Sequence, residues 1–106
     1  YEAKYSGMSG YECPAQVDEE VAQRICADAL RIYAEFELAP FARIDCLLEE
    51  DGEYYFLEAN TLPGFTELSL LPMAAKAAGV EMGELLELLM LCAVQRHEQR
   101  RERVCQ

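Results

Sequence analysis

The feature that most constrains this chain is a short turn between two apolar segments. Asp51-Gly52 separates segment 41–49 from segment 54–60, and both segments are rich in aliphatic and aromatic residues. An Asp-Gly pair in such a setting is among the strongest short-range signals for a β-hairpin with a two-residue turn. The sequence therefore predicts an antiparallel hairpin over residues 41–60.

Helical periodicity flanks the hairpin on both sides. Apolar residues recur at intervals of three and four, which predicts a helix over 17–36 before the hairpin and helices over 72–103 after it. Segment 1–15 mixes tyrosine, glycine and serine without a helical period, and segment 61–72 contains two prolines and a glycine, so both are predicted to be loops. The chain is thus expected to form one α+β domain in which an antiparallel β-hairpin packs with helices.

A two-residue turn also predicts which residues of the hairpin face each other. It places Asp45 opposite Glu58 and Arg43 opposite Asn60. Because side chains alternate between the two faces of a strand, these four side chains should share one face at one end of the hairpin. The same register assigns an apolar set to the other face, namely Ile44, Cys46, Leu48, Tyr55, Leu57 and Ala59.

The polar face of the hairpin has the composition of a site for a hard cation. Opposed side chains lie about 5 Å apart at Cβ, where two like charges destabilise a sheet. A magnesium ion would resolve that repulsion for Asp45 and Glu58, because magnesium prefers carboxylate oxygens, waters and phosphates. Asn60 adds a neutral oxygen, and Arg43 adds a fixed positive charge suited to phosphate. The alternative is a solvated face on which Arg43 only offsets the carboxylates, and a bulge in either strand would break the register.

Charge and cysteine content limit the partners of the chain. The net charge is −11, which argues against nucleic acid or an anionic membrane as a partner. The five cysteines are irregularly spaced, which indicates neither a zinc site nor a disulfide framework, and free cysteines suggest a reducing compartment. No signal peptide is recognised, and the apolar run Leu85 to Val94 is too short to span a bilayer. The expected location is the cytoplasm, and the single histidine, His97, is expected to be solvated.

Three motifs together resemble the D-alanine–D-alanine ligases of the ATP-grasp superfamily. They are Arg43-Ile-Asp45, Glu58-Ala-Asn60-Thr-Leu-Pro-Gly64-Phe-Thr66, and Ser69-Leu70-Leu-Pro72. The likeness extends from Tyr1 to about Ala93, with 1–15 similar to the mobile loop of that family and 61–72 to its acceptor loop. The resemblance implies the C-terminal half of an ATP-grasp domain, without the N-terminal domain and the central strands that enclose adenine.

The resemblance also implies a role for each matching residue. Asp45, Glu58 and Asn60 would hold two Mg²⁺ (or Mn²⁺) ions that bridge the phosphates of ATP. Arg43 would stabilise the transferring phosphoryl group, and the N–H of Gly64 would point at the developing oxyanion. The remaining roles concern substrates: Ser69 and the Leu70 backbone for the carboxylate of the second D-alanine, Tyr5 for loop closure over the acceptor, and Lys4 for the γ-phosphate.

The function implied by the resemblance is synthesis of the D-alanyl-D-alanine dipeptide for peptidoglycan. The carboxylate of one D-alanine would attack ATP to form an acyl phosphate, and the amine of a second D-alanine would displace phosphate. The partners would be ATP, D-alanine and a second copy of the enzyme in a homodimer. Because this chain matches only the last third of such an enzyme, it is expected to be inactive in isolation.

Other readings of the sequence remain open. A D-alanine–D-lactate or D-alanine–D-serine ligase shares the same fold, although Tyr5 after Lys4 resembles the dipeptide-forming type. A more distant ATP-grasp carboxylate–amine ligase fits the segment 61–66 poorly. From a different class, the chain could be a non-enzymatic acidic binding module built on an ATP-grasp half-domain, which would leave the retained polar motifs unexplained.

Overall fold

The computed structural model describes residues 10–105 and has the predicted α+β architecture. One antiparallel hairpin stands between a preceding helix and two following helices. In chain order the elements are α1 (Glu19–Glu35), β1 (Arg43–Leu48), β2 (Tyr54–Asn60), α2 (Leu70–Ala77) and α3 (Met82–Val104).

The turn of the hairpin is one residue longer than predicted. The N–H of Glu49 donates to the carbonyl of Glu53 at 2.8 Å, and the N–H of Gly52 donates to the carbonyl of Glu49 at 3.1 Å. The loop therefore comprises residues 50–52, and Gly52 closes it with φ +88°, a left-handed conformation that favours glycine. The predicted two-residue turn was wrong because a three-residue loop ending in glycine carries the same sequence signal.

A β-bulge in β2 compensates for the longer turn. The strands pair Cys46 with Phe56 but Asp45 with Glu58, which leaves Leu57 as an extra residue in β2. The longer turn and the bulge shift the register in opposite directions, so the register at the open end of the hairpin is the predicted one. The predicted pairs of Arg43 with Asn60 and Asp45 with Glu58 are therefore confirmed.

The bulge changes the composition of the apolar face. Between the turn and the bulge, Leu48 pairs with Tyr54 and Cys46 with Phe56, so these four side chains lie on one face. Leu57 lines the same cleft as Ile44 and Phe56, as the sequence predicted for that face, although it is 66% exposed. Tyr55, which the sequence also assigned to that face, pairs instead with Leu47 on the other face and is 52% exposed. That part of the predicted face was wrong, because the register shifts by one residue.

Helix α1 packs against this corrected face. Its N-terminus is capped by Asp18, whose Oδ1 accepts hydrogen bonds from the N–H groups of Glu20 and Val21. The hydroxyl of Tyr54 donates to Asp28 Oδ2 of the helix at 2.7 Å. Near the end of the helix, an open cleft of about 350 Å³ is lined in part by Ile32, Ile44 and Phe56.

Two helices end in the same hydrogen-bonded motif with different residues at its left-handed position. After α2, the N–H of Gly79 bonds the carbonyl of Lys76 and the N–H of Val80 bonds that of Ala75, with Gly79 at φ +87°. This is the Schellman motif. After α1, Glu37 takes the place of glycine at φ +51°, a conformation uncommon for a residue with a side chain.

The helices at the C-terminal end pack together but bury little. Helix α3 contacts α2, and Arg96 of α3 donates a hydrogen bond to the carbonyl of Ala39, ahead of β1. Among residues 10–105 no aliphatic or aromatic side chain is fully buried, and Met90 of α3 is 71% exposed. No helix in this range is long and apolar enough to cross a bilayer.

Candidate active site

The polar end of the hairpin is organised around Arg43. Its Nε donates to Asp45 Oδ1 at 2.7 Å, and its Nη2 donates to Asp45 Oδ2 at 2.8 Å. These two bonds form a bidentate fork, the strongest arrangement of guanidinium and carboxylate. Arg43 Nη2 also lies 3.8 Å from Glu58 Oε1, so one arginine faces both carboxylates of the cross-strand pair.

The charges around Arg43 favour its protonated form. The pKa of Arg43 is raised, chiefly by its hydrogen bond to Asp45; burial, the next largest effect, lowers it, and the charges of Asp45, Glu58 and Tyr11 raise it further. Arg43 is therefore a permanent cation at working pH. Its side chain is 27% exposed and that of Glu58 is 65% exposed, so the cluster is open to an incoming ligand.

Asn60 completes the cluster at the point where β2 ends. Its Oδ1 accepts a hydrogen bond from the N–H of Leu62 at 3.0 Å, a local turn that directs the chain out of the strand. A carbonyl oxygen has a second lone pair, so Asn60 can still coordinate a cation. The predicted residues Arg43, Asp45, Glu58 and Asn60 are therefore brought together at one end of the hairpin.

The donor set at this end of the hairpin fits magnesium. It offers only oxygens, two carboxylates and one amide, which are the ligands of a hard cation. Within residues 10–105 there is no group of three or more histidine, cysteine, aspartate or glutamate side chains placed to hold a metal. A cation here would thus depend on oxygens from a phosphate-bearing substrate or water, as magnesium does where it keeps few protein ligands.

The segment after β2 forms a second cluster around Ser69. The N–H of Thr66 donates to Ser69 Oγ at 3.1 Å, and the hydroxyls of Thr66 and Ser69 are 2.8 Å apart. A Cβ atom on Gly64 would lie 2.8 Å from Ser69 Oγ, closer than real Cβ contacts allow. A side chain at position 64 would therefore displace the Ser69 hydroxyl from its present position.

Ser69 directly precedes α2 at the N-cap position, but its side chain makes no capping hydrogen bond. Its backbone has the extended conformation usual for a cap, with φ −82° and ψ 148°, yet its hydroxyl bonds Thr66 instead of the helix. Pro72 has no N–H to offer, and within residues 10–105 the N–H groups of Leu70 and Leu71 have no hydrogen-bond acceptor. Two donors at the positive end of a helix are thereby left for a ligand.

An aromatic contact joins this loop to the hairpin. The rings of Phe41 and Phe65 meet edge to face, with centroids 5.4 Å apart. Phe41 precedes β1 by two residues and Phe65 lies between Gly64 and Thr66, so the contact holds the loop beside the start of the strand. Such pairs contribute about 0.5–1.5 kcal/mol beyond the area they bury.

Two predicted site residues lie outside the structural description, and one notable residue was missed. Lys4 and Tyr5 fall in the segment before residue 10. Thr66 was not predicted to have a role, although its hydroxyl lies 2.8 Å from that of Ser69. A Thr-x-x-Ser spacing ahead of a helix was the available signal, since it allows the two hydroxyls to meet across a turn.

Comparison with known proteins identifies close relatives. Residues 1–91 match the family model described as D-ala D-ala ligase C-terminus. The chain is 47% identical over 91 residues to D-alanine–D-alanine ligase of Fervidobacterium nodosum, with 85% of this chain and 28% of the relative covered. It is 44% identical over 103 residues to D-alanine–D-alanine ligase A of Bradyrhizobium diazoefficiens, with 94% of this chain and 28% of the relative covered.

Solved structures show the same likeness. The crystal structure of D-alanine–D-alanine ligase from Bacillus anthracis in complex with ATP matches with a TM-score of 0.74 at 30% identity. That match covers 80% of this chain and 30% of the ligase chain. This chain therefore spans about 28% of the length of the curated relatives it matches.

Proposed function

This chain belongs to the family of D-alanine–D-alanine ligase C-termini, and we propose from that premise that it is the cation-binding and acceptor-binding part of an ATP-dependent D-alanine–D-alanine ligase. The observation that carries the proposal is the convergence of Arg43, Asp45, Glu58 and Asn60 at one end of the hairpin.

The hairpin cluster would act on the phosphates of ATP. Asp45, Glu58 and Asn60 would hold Mg²⁺ or Mn²⁺, two ions in all, which when bound supply positive charge to the transferring phosphoryl group. Arg43 is a permanent cation, so it would stabilise the negative charge that develops on the phosphoryl oxygens. The product of this step would be the acyl phosphate of the first D-alanine.

The cluster around Ser69 would receive the second D-alanine. The hydroxyl of Ser69 and the N–H of Leu70 would donate to its carboxylate, which also gains from the positive end of α2. The N–H of Gly64 would face the oxyanion of the tetrahedral intermediate, and the crowding against Ser69 explains the lack of a side chain there. The amine would then displace phosphate to give the dipeptide used in peptidoglycan synthesis.

The remaining roles rest on the family alone. Lys4 would contact the γ-phosphate, and Tyr5 would close the loop 1–15 over the acceptor. The intact enzyme is proposed to be a cytoplasmic homodimer that uses ATP and D-alanine. Since the relatives are more than three times as long as this chain, residues 1–106 alone are proposed to be inactive.

The proposal is tested by assaying D-alanine-dependent formation of ADP and phosphate with Mg²⁺. The complete open reading frame that encodes this chain is compared with residues 1–106 alone. A third protein carries residues 1–91 in place of the matching region of the Fervidobacterium nodosum ligase. Asp45→Asn and Glu58→Gln should each lower kcat/KM by about a hundredfold or more in the active proteins. The matched controls are Asp51→Asn and Glu50→Gln, which change the same residue types in the turn and should have little effect.

Each result has a defined reading. The proposal is supported if the protein from the complete open reading frame and the chimera are both active. The two site variants must then lose this activity, and the two turn variants must keep it. Activity with D-lactate or D-serine in place of the second D-alanine would correct the acceptor. No activity in the full reading frame and the chimera would refute the ligase assignment and favour a binding module.

A further inference from the structure

The hydrogen bonds of Ser69 Oγ lead to a role for Thr66. Ser69 Oγ accepts from the N–H of Thr66 at 3.1 Å and lies 2.8 Å from Thr66 Oγ1. The N–H of Ser69 in turn donates to the carbonyl of Thr66 at 2.9 Å, so the two residues are joined by three hydrogen bonds. A hydroxyl oxygen has two lone pairs and one proton. If Thr66 Oγ1 donates, both lone pairs of Ser69 Oγ are filled and its own proton is left for another acceptor.

The alternative position of the Ser69 hydroxyl would work against a ligand. A serine at the start of a helix usually accepts from the N–H of the second or third helical residue. In α2 the third residue is Pro72, so only the N–H of Leu71 is available. A hydroxyl that capped Leu71 would occupy one of the free donors and would present a lone pair to an incoming carboxylate.

We propose that Thr66 is a positioning residue for the acceptor site: its N–H and hydroxyl hold the Ser69 hydroxyl away from the N-terminus of α2. In this arrangement the proton of Ser69 and the N–H groups of Leu70 and Leu71 all face a carboxylate. The identity of the ligand, D-alanine, rests on the proposed ligase function, whereas the effect of Thr66 on the position of the Ser69 hydroxyl does not.

A structural role and a positioning role for Thr66 predict different effects on the stability of α2 and on the binding of D-alanine. Replacing Thr66 with valine keeps the shape and the backbone N–H but removes the hydroxyl. A structural role predicts that α2 becomes less stable. A positioning role predicts that Ser69 caps α2 instead, so the amide of Leu71 becomes better protected while D-alanine binds more weakly.

The first arm of the test measures hydrogen exchange at the Leu71 amide, without substrate, in the protein made from the complete open reading frame. Thr66→Val should slow this exchange by about two- to tenfold, within the range that one cap contributes. Thr66→Ser, which keeps the hydroxyl, should exchange like the wild type. Thr61→Val removes a hydroxyl from the same loop that has no bonded partner within residues 10–105, and it should leave the Leu71 amide unchanged.

The second arm measures steady-state kinetics with D-alanine as acceptor. Thr66→Val should raise KM by about two- to tenfold with kcat nearly unchanged, the loss of one well-placed hydrogen bond. Thr66→Ser should restore the wild-type KM. In a Ser69→Ala background the Thr66→Val change should have no further effect, because the hydroxyl that it orients is gone.

The two arms of the test separate a failure of the proposed ligase function from a failure of the positioning role of Thr66. A full-length protein without ligase activity refutes the proposed function, and the exchange arm still decides the role of Thr66. Faster or unchanged exchange at Leu71 in Thr66→Val overturns the positioning role. A fall in kcat at constant KM, or failure of Thr66→Ser to restore KM, overturns it as well.

Discussion

The fork between Arg43 and Asp45 bears on how a cation would bind at the polar end of the hairpin. Arg43 engages both oxygens of Asp45 at 2.7 and 2.8 Å, and its positive charge offsets the repulsion between Asp45 and Glu58. A divalent cation needs the same carboxylate oxygens. The arginine and the cation are therefore expected to compete for Asp45, and the guanidinium released from Asp45 would be free to contact phosphate.

Substitution of Arg43 tests this competition. Arg43→Lys keeps the positive charge but cannot form the fork, because lysine is a point charge without planar geometry. We expect it to bind Mn²⁺ about two- to fivefold more tightly than the wild type without nucleotide, and Arg43→Gln to bind more tightly still. Electron paramagnetic resonance of free Mn²⁺ measures both affinities. Arg31→Lys, on the exposed surface of α1, is the matched control, and equal affinities for Arg43→Lys and wild type would contradict the idea.

At the scale of elements, the ends of the helices and the contact between α1 and β2 hold the hairpin in place. Helix α1 ends in a left-handed residue just before the strand that carries Arg43 and Asp45. Tyr54 then ties the same helix to the second strand through Asp28. These two connections link α1 to both strands, whereas the pairing of the strands sets the distance between the two carboxylates.

Replacing Glu37, which follows α1 in a left-handed conformation, with glycine is predicted to stabilise the protein. Glu37→Gly should raise the free energy of unfolding by about 0.5–1 kcal/mol, because glycine adopts the left-handed conformation without steric strain. Gly79→Ala, at the equivalent position after α2, should lower it by a similar amount. Urea unfolding of the full-length protein followed by circular dichroism compares the two variants. A loss of stability in Glu37→Gly would show that the glutamate side chain makes a stabilising contribution larger than the strain.

The contact of Tyr54 predicts a pH-dependent contribution to stability. Its pKa is raised, first by the hydrogen bond to Asp28 and then by burial, so the folded state favours the neutral phenol. The contribution is therefore complete below the unfolded pKa of about 10 and is lost as pH rises through the higher folded pKa. Tyr54→Phe should be less stable than wild type at neutral pH and should lose less stability above about pH 10.

Tyr55 provides the control for this prediction. It adjoins Tyr54 in β2 but is 52% exposed and lies on the opposite face of the strand. Tyr55→Phe should therefore unfold like the wild type across the same pH range. Parallel pH profiles of thermal unfolding for Tyr54→Phe and wild type would show that the hydrogen bond to Asp28 has no energetic consequence.

At the scale of the whole molecule, the chain has large apolar surfaces and very little interior. No aliphatic or aromatic side chain is fully buried among residues 10–105, and Leu57 and Met90 are among those most exposed. Within the described range the sheet has two strands, and neither outer edge is paired there. Exposed apolar patches and open strand edges of this kind promote association.

Residues 1–106 in isolation are therefore predicted to associate and to unfold with low cooperativity. Sedimentation should show a concentration-dependent increase in mass, and a dye such as ANS should bind strongly. The chimera with the Fervidobacterium nodosum ligase should bind much less dye, because the remaining domains would cover these surfaces. A monomeric isolated chain with a sharp thermal transition would contradict the prediction.

Much of this fold could be predicted from sequence because its signals are local. Helix α1 is observed at Glu19–Glu35 where periodicity predicted 17–36, and the hairpin lies within the predicted 41–60. Such signals arise from neighbours a few residues apart: alternation in a strand, a period of three to four in a helix, and glycine at a turn. The same alternation was enough to predict that Asp45 and Glu58 lie opposite each other.

Only the tertiary structure decided the length of the turn, the position of the bulge and the contacts between distant parts of the chain. Turn length and the bulge at Leu57 cannot be read from alternation, because the longer turn and the bulge together leave the pairing at the open end of the hairpin unchanged. Likewise, the tie between Thr66 and Ser69 requires a bend that brings two hydroxyls within 2.8 Å. The sequence by itself determined which residues could share a face. The three-dimensional packing determined which of them meet, because it selects among registers and rotamers that local preferences leave nearly equal in energy.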